Sequence, residues 1–371
     1  MIAADPMSFY TSVLRPALFR LDPERAHHLA VGLAARAGAV APLLRAVTAV
    51  DDPRLAQTIA GLGLPSPIGL SAGFDKNGDA VASLAALGFG FVEVGSVSAE
   101  PSNGNPPPRL FRLPDDRALA VAYGVPNAGA AAVSRRLAGQ RLPVPLGLNI
   151  VGTNRGPGAP AVCDDALIAE YMQAARLLAP VSDYLMFNLS CPNTTDGRDF
   201  FADPVRLDAW LTALDETDYA PRPSFLKVSP LGGVAMIEQL LEIVGRHRKI
   251  TGFMFNLPSG KPAGLTTPRA VWERMPGAVS GPPSAALLDD CLVECCRRMD
   301  RGRYVLFASG GVSTAADAYA KIRKGASLVA LLTALVYEGP GVVRRVTRGL
   351  IDLMDRDGVK HISEVVGVDV R

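Results

Sequence analysis

Between residues 67 and 333, eight short apolar runs alternate with stretches long enough for a helix. No other feature of the chain constrains its fold as much. The runs lie at 67–72, 90–97, 145–150, 184–189, 224–228, 252–257, 304–309 and 328–333. Residues 78–87, 166–179, 234–246, 284–298 and 315–325 carry helical length and patterning between them. Eight strands alternating with helices predict an α/β fold, a (β/α)8 TIM barrel. A doubly wound open sheet is the alternative, but no G-x-G-x-x-G follows the first run. Two longer connections, 100–142 and 258–283, are rich in Pro, Gly and Asn and predict extra hairpins or lids.

The runs end alike. The fourth reads YLMFNLSCPNT and releases Asn188, Ser190, Cys191 and Asn193 within six residues. Taken alone, this is also what a strand followed by an ordinary turn looks like. The other ends repeat the chemistry: Ala72-Gly73-Phe74-Asp75-Lys76, Gly95-Ser96, Asn149, Lys227, Asn256, Gly310-Gly311 and Thr333. A polar group in a buried strand is costly without a partner, so a ring of them at one barrel end implies a large polar ligand. Gly310-Gly311 and Thr333 follow strands seven and eight, where barrels hold phosphate. Two Lys and three Asn suit a flat heterocycle rich in donors and acceptors better than a simple sugar phosphate.

Composition narrows the function classes. A net charge of +2 gives no support to a nucleic-acid partner. The five cysteines, Cys163, Cys191, Cys291, Cys295 and Cys296, form neither a disulfide framework nor a zinc spacing, so a reducing, cytoplasmic compartment and no metal are expected. Cys291, Cys295 and Cys296 fit a buried helix face. The N-terminus lacks the pattern of a signal peptide, and no charge-free apolar run reaches about 18 residues.

Residues 7–48 read as helices, giving two segments, 1–50 and 51–371. Asp22-Pro23-Glu24 is a helix start, with Asp as N-cap and Pro at the first position. Leu29, Val31, Leu33 and Ala34 give an apolar face among Arg15, Arg20, Arg25, Arg36 and Arg45. Such helices either lie on a membrane surface or pack on the main domain. His28, His247 and His361 show no partner signal, and Trp210 and Trp272 read as core or lid packing.

In order along the chain, FRLDPERAHHLAVGLA, SAGFDKNG, GFGFVEVGSVS, PPRLFRLPDD, FNLSCPNT, ASGGVS and KGASLVALLTALVYEGP resemble the class 2, quinone-linked dihydroorotate dehydrogenases. The resemblance covers nearly the whole chain and implies a barrel that binds FMN. Matched by motif, the flavin positions are Ala72, Gly73, Lys76, Gly95, Ser96, Asn149, Asn188, Lys227, Asn256, Ser280, Gly281, Gly310, Gly311 and Thr333. His27 and Arg112 match the family's quinone residues. The resemblance also implies a respiratory quinone as acceptor and a peripheral place on the inner face of the cell membrane.

The departures cluster on the substrate. Val121 stands where the family has a substrate-binding Asn, within AVAYG ending at Gly124. Val125-Pro126-Asn127 replaces Phe-Asn, Leu257 replaces Thr or Ser, Phe255 replaces Thr, and Leu332 replaces Tyr. After Thr194 the lid reads Thr195-Asp196-Gly197-Arg198 in place of PGLR. The base is Cys191, as in class 1, where class 2 has Ser. A thiol with an ordinary pKa of about 8.5 can serve if the site lowers it, and Lys76 is the nearest named cation. The remaining substrate grip is Lys76, Asn188, Asn193 and Asn256. Three readings follow. One is a paralogue acting on a C–C bond of a less polar cyclic amide. Another is ordinary dihydroorotate oxidation with a drifted pocket. The third is a flavin-free barrel that only binds.

Overall fold

A computed structural model describes residues 9–160, 162–191, 202–219 and 222–370. Eight parallel strands close a barrel: β1 (Ile68–Leu70), β2 (Phe91–Val97), β3 (Leu146–Ile150), β4 (Tyr184–Asn188), β5 (Ser224–Val228), β6 (Ile250–Phe255), β7 (Val305–Ala308) and β8 (Leu328–Leu331). Each falls on one of the eight apolar runs, and the five helices foreseen between them form at Val81–Ala86, Asp164–Leu178, Gly233–Gly245, Ala285–Arg298 and Ala315–Arg323.

The strands sort their side chains by parity, because successive residues face opposite sides. Phe91, Tyr184, Met186, Phe225, Met254 and Phe307 form one cluster with Ile59, Leu62 and Leu64 of a short antiparallel hairpin. Val92, Val94, Leu185, Phe187, Leu226 and Phe253 instead join the cluster shared with the helices. The first set fills the barrel toward its N-terminal end. Continuing the same parity upward places Glu93, Asn149, Asn188, Lys227 and Asn256 inside the barrel toward its C-terminal end. Phe255 has the opposite parity and lies in the outer core, so this departure does not alter the pocket. Trp210, fully buried, packs edge-on against Phe187 and Tyr171, a core role.

The two long connections do form extra structure, and they form it together. Leu110–Leu113 and Ala118–Val121 make a hairpin, and Ala278–Ser280 adds to it antiparallel, pairing Ala278 with Val121. Trp272 packs on its small core and donates to the Thr267 carbonyl at 3.0 Å.

Two helices, α1 (Pro23–Ala37) and α2 (Ala41–Thr48), lie against Val81–Ala86. Asp22 caps α1 as expected, accepting from the N–H groups of Glu24 and Arg25 at 3.1 and 3.0 Å. The apolar face divides: Val31 and Ala34 pack inward, while Leu29, Leu33, Leu43 and Val47 stay exposed. Cys291, Cys295 and Cys296 are buried as foreseen. His247, in contrast, has partners that sequence did not signal: Asp215 at 3.1 Å and Asp208 at 3.2 Å, brought in from a helix more than 30 residues earlier. His361 bridges Ser363 and the Ala56 carbonyl, and His28 is exposed.

Candidate active site

A cavity of about 610 Å³ joins the C-terminal strand ends to the underside of α1 and α2. Its walls include Ala72, Gly73, Lys76, Gly95, Ser96, Val121, Asn188, Cys191, Lys227, Asn256, Leu257, Ser280, Gly281, Gly310, Gly311 and Thr333. His27 and Arg112 line it too, with Leu33, Ala34, Ala37 and Leu44 at the helix side. Three of the named residues stand apart. Asn149 is fully buried behind Ser96 and reaches the cavity only through it. Gly124 faces Asn105: at φ 65°, a Cβ there would come within 2.3 Å of the Asn105 amide oxygen. It is a packing glycine and not part of the wall. Asn193 and the 195–198 lid lie outside the described residues.

The strand-end amides form one chain of hydrogen bonds. Glu93 accepts from Asn149 Nδ2 at 3.0 Å, and Ser96 Oγ donates to Asn149 Oδ1 at 2.5 Å. Asn188 Nδ2 reaches Ser96 Oγ at 3.4 Å, and Asn256 Nδ2 donates to Asn188 Oδ1 at 2.9 Å. Asn256 also donates to the Ser190 carbonyl at 3.1 Å, one residue before Cys191. Glu93 was missed in the sequence, although a carboxylate at an inward position of FVEVGSV is itself a signal.

Cys191 is buried at the end of β4 and lines the cavity. The cation that senses its charge is Lys227: burial lowers the Lys227 ammonium from its usual range, while Glu93 and Cys191 pull it back up. Lys76 has other company. Its Nζ lies 3.0 Å from His27 Nε2 and 4.1 Å from the centre of the Tyr123 ring. Burial pushes Lys76 down to about 8, against the pull of Glu24. Burial, then Lys76, holds His27 well below its ordinary range, so Lys76 donates to a neutral imidazole. Asp75 fixes the Lys76 loop by accepting from four backbone N–H groups, those of Asn77, Gly78, Asp79 and Ala80. Arg109 clamps α1 through Glu24 at 2.7 Å. Arg112 donates to the carbonyls of Leu18, Phe19 and Leu21, closing the turn before α1.

At the opposite wall, Ser280 Oγ and Thr333 Oγ1 are 3.0 Å apart. Gly310 and Gly311 have φ of 80° and 71°, and a Cβ on either would strike Leu288 at 2.5 Å or Ala285 at 2.6 Å. Only glycine lets the backbone turn there, and turns of this kind can present N–H groups to an anion.

Residues 54–354 match the family model described as Dihydroorotate dehydrogenase. The chain belongs to the dihydroorotate dehydrogenase family. Dihydroorotate dehydrogenase (quinone) of Anaeromyxobacter sp. is 41% identical over 362 residues, covering 96% of each chain. That of Deinococcus deserti is 40% identical over 374 residues, covering 97% of this chain and 99% of the relative. Dihydroorotate dehydrogenase of Eimeria tenella, solved with ferulenol, superposes with a TM-score of 0.80 at 30% identity over 94% of this chain and 96% of that one. Val121, Leu257 and Leu332 all line the cavity, so the apolar side chains at these three positions form part of its wall.

Proposed function

We propose that the chain is an FMN-dependent dehydrogenase that oxidises a C–C bond of dihydroorotate or a near relative and passes the electrons to a quinone. The observation that carries this is one continuous cavity, polar at the strand ends and apolar under α1 and α2. Such a space suits a flavin between two substrates. The residues present fit FMN: amides and Lys227 for the ring, and Gly281, Gly310, Gly311 and Thr333 for the phosphate. When bound, FMN would supply a two-electron acceptor between the two substrates. Cys191 takes the proton from the carbon adjacent to the one that loses hydride. Lys227 favours the thiolate by its charge. Lys76, Asn188, Asn193 and Asn256 hold the substrate ring. Segment 1–50 forms the quinone entrance, with His27 and Arg112 at its inner end, and segment 51–371 is the catalytic barrel. The exposed Leu29, Leu33, Leu43 and Val47, beside Arg25, Arg36 and Arg45, suit a peripheral site on the inner face of the cell membrane.

A second reading has its own observation. Val121 and Leu257 put apolar surface where a charged heterocycle needs amide or hydroxyl contacts, which suits a less polar cyclic amide. Anaerobic mixing of the flavin-loaded protein with dihydroorotate separates the two. Rapid bleaching supports dihydroorotate as substrate. A flavin that dithionite reduces and dihydroorotate does not supports the changed substrate, and a colourless protein sinks both. In the drifted-pocket case, Val121→Asn with Leu257→Thr is expected to raise kcat/KM for dihydroorotate by about 10-fold or more, from roughly 1–3 kcal/mol per restored polar contact.

Two further outcomes test the helix side. His27→Ala is expected to slow reoxidation by a soluble quinone about 2–10-fold, more than it slows bleaching by dihydroorotate, as loss of one neutral hydrogen bond of roughly 0.5–1.5 kcal/mol implies. Lys76 is charged below its pKa of about 8 and neutral above it. The KM for anionic dihydroorotate is therefore expected to rise as pH passes upward through 8, and Lys76→Met is expected to flatten that profile.

A further inference from the structure

Glu93 is the one carboxylate inside the barrel layer beneath the cavity among the described residues, and no step above uses it. Its side chain is 1% exposed. Oε1 accepts from two N–H groups, Ala72 N at 3.4 Å and Asn149 Nδ2 at 3.0 Å. Neither of these donors can accept a proton in return, so Oε1 is a bare acceptor. Oε2 lies 3.3 Å from the Tyr184 hydroxyl. Across the barrel, the charge interacting with it is Lys227, which also interacts with Cys191. Burial holds the Glu93 carboxyl above its ordinary range, although Lys227, Asn149, the Ala72 N–H and Tyr184 each pull it back. Tyr184 itself is held well above its ordinary range by burial and by Glu93, so it stays a donor.

Building on the proposed function, we propose that Glu93 is a positioning residue that remains ionised, sets the net charge beneath the flavin and so holds its reduction potential down. Two routes lead from the carboxylate to the cradle. One is the hydrogen-bond chain through Asn149 and Ser96 to Asn188 and Asn256. The other is Lys227, whose ammonium charge the carboxylate balances. A reduced flavin carries more negative charge than an oxidised one, so a nearby anion disfavours reduction and a nearby cation favours it. With Glu93 ionised, the cation at Lys227 is largely offset. With it neutral, Lys227 acts alone.

The test is Glu93→Gln, which keeps the shape and removes the charge. The midpoint potential of the bound flavin is measured by anaerobic titration with dithionite and reference dyes, which needs neither dihydroorotate nor quinone. The expected result is an upward shift of about 30 mV or more, a tenfold or larger change in the two-electron equilibrium. The rate at which iodoacetamide alkylates Cys191 in the flavin-free protein is the second measurement. It is expected to rise about tenfold at pH 7 in the variant, because an unbalanced Lys227 favours the thiolate. Identical potential and identical alkylation in variant and wild type would overturn the proposal, leaving a neutral structural acid. That outcome is distinct from failure of the proposed function, which appears in the wild type itself as a protein that purifies colourless.

Discussion

Cys191→Ala is expected to slow bleaching of the flavin by dihydroorotate about 10²–10⁴-fold, the usual loss when a positioned general base is removed. Reduction by dithionite and reoxidation by quinone should keep their rates, because neither draws a proton from substrate carbon. Cys191→Ser separates geometry from acidity. Serine keeps the size and the place at the end of β4, but its hydroxyl is a far weaker acid than a thiol near 8.5. Its residual rate should therefore climb with pH beyond the point where the wild type levels off. Stopped-flow bleaching across pH reads all three proteins. Wild-type rates in Cys191→Ala would reduce the thiol to a packing residue, one of the commonest fates of a buried cysteine.

The same turn shows what was legible in the sequence. Strand period and helix spacing placed all eight barrel strands, because alternation is a local property of the chain. The polar strand ends were visible for the same reason, since polar side chains in apolar runs stand out one at a time, and most of them line one cavity. What failed to show was pairing across distance. The 100–142 and 258–283 connections read as extra hairpins or lids with nothing to join them, yet Ala278–Ser280 completes a sheet begun at Leu110. Nothing local says that Lys76 will rest on His27, 49 residues earlier, or that His247 will sit between Asp208 and Asp215. Parity also corrected the reading of the pocket. Phe255 and Leu257 flank Asn256, but the first points into the outer core while the second, past the end of β6, reaches the cavity.

Parity also makes Lys227 and Glu93 interior charges that must be judged together. Removing the ammonium with Lys227→Met would leave Glu93 buried without the cation whose charge it senses, and an uncompensated buried charge costs up to about 3–5 kcal/mol. The variant is expected to unfold at distinctly lower urea and to purify colourless, since the cradle loses both its cation and the balance of its amide chain. Lys227→Met combined with Glu93→Gln discriminates between these two losses. Without a stranded carboxylate, most of the stability should return, as replacing both members of a buried pair is often close to neutral. Flavin binding should not return, because the ammonium that would face the ring is still missing. Urea midpoints and flavin content of the two single variants and the double variant give the cycle. Equal instability in Lys227→Met and the double variant would mean that Glu93 never carried the charge assigned to it.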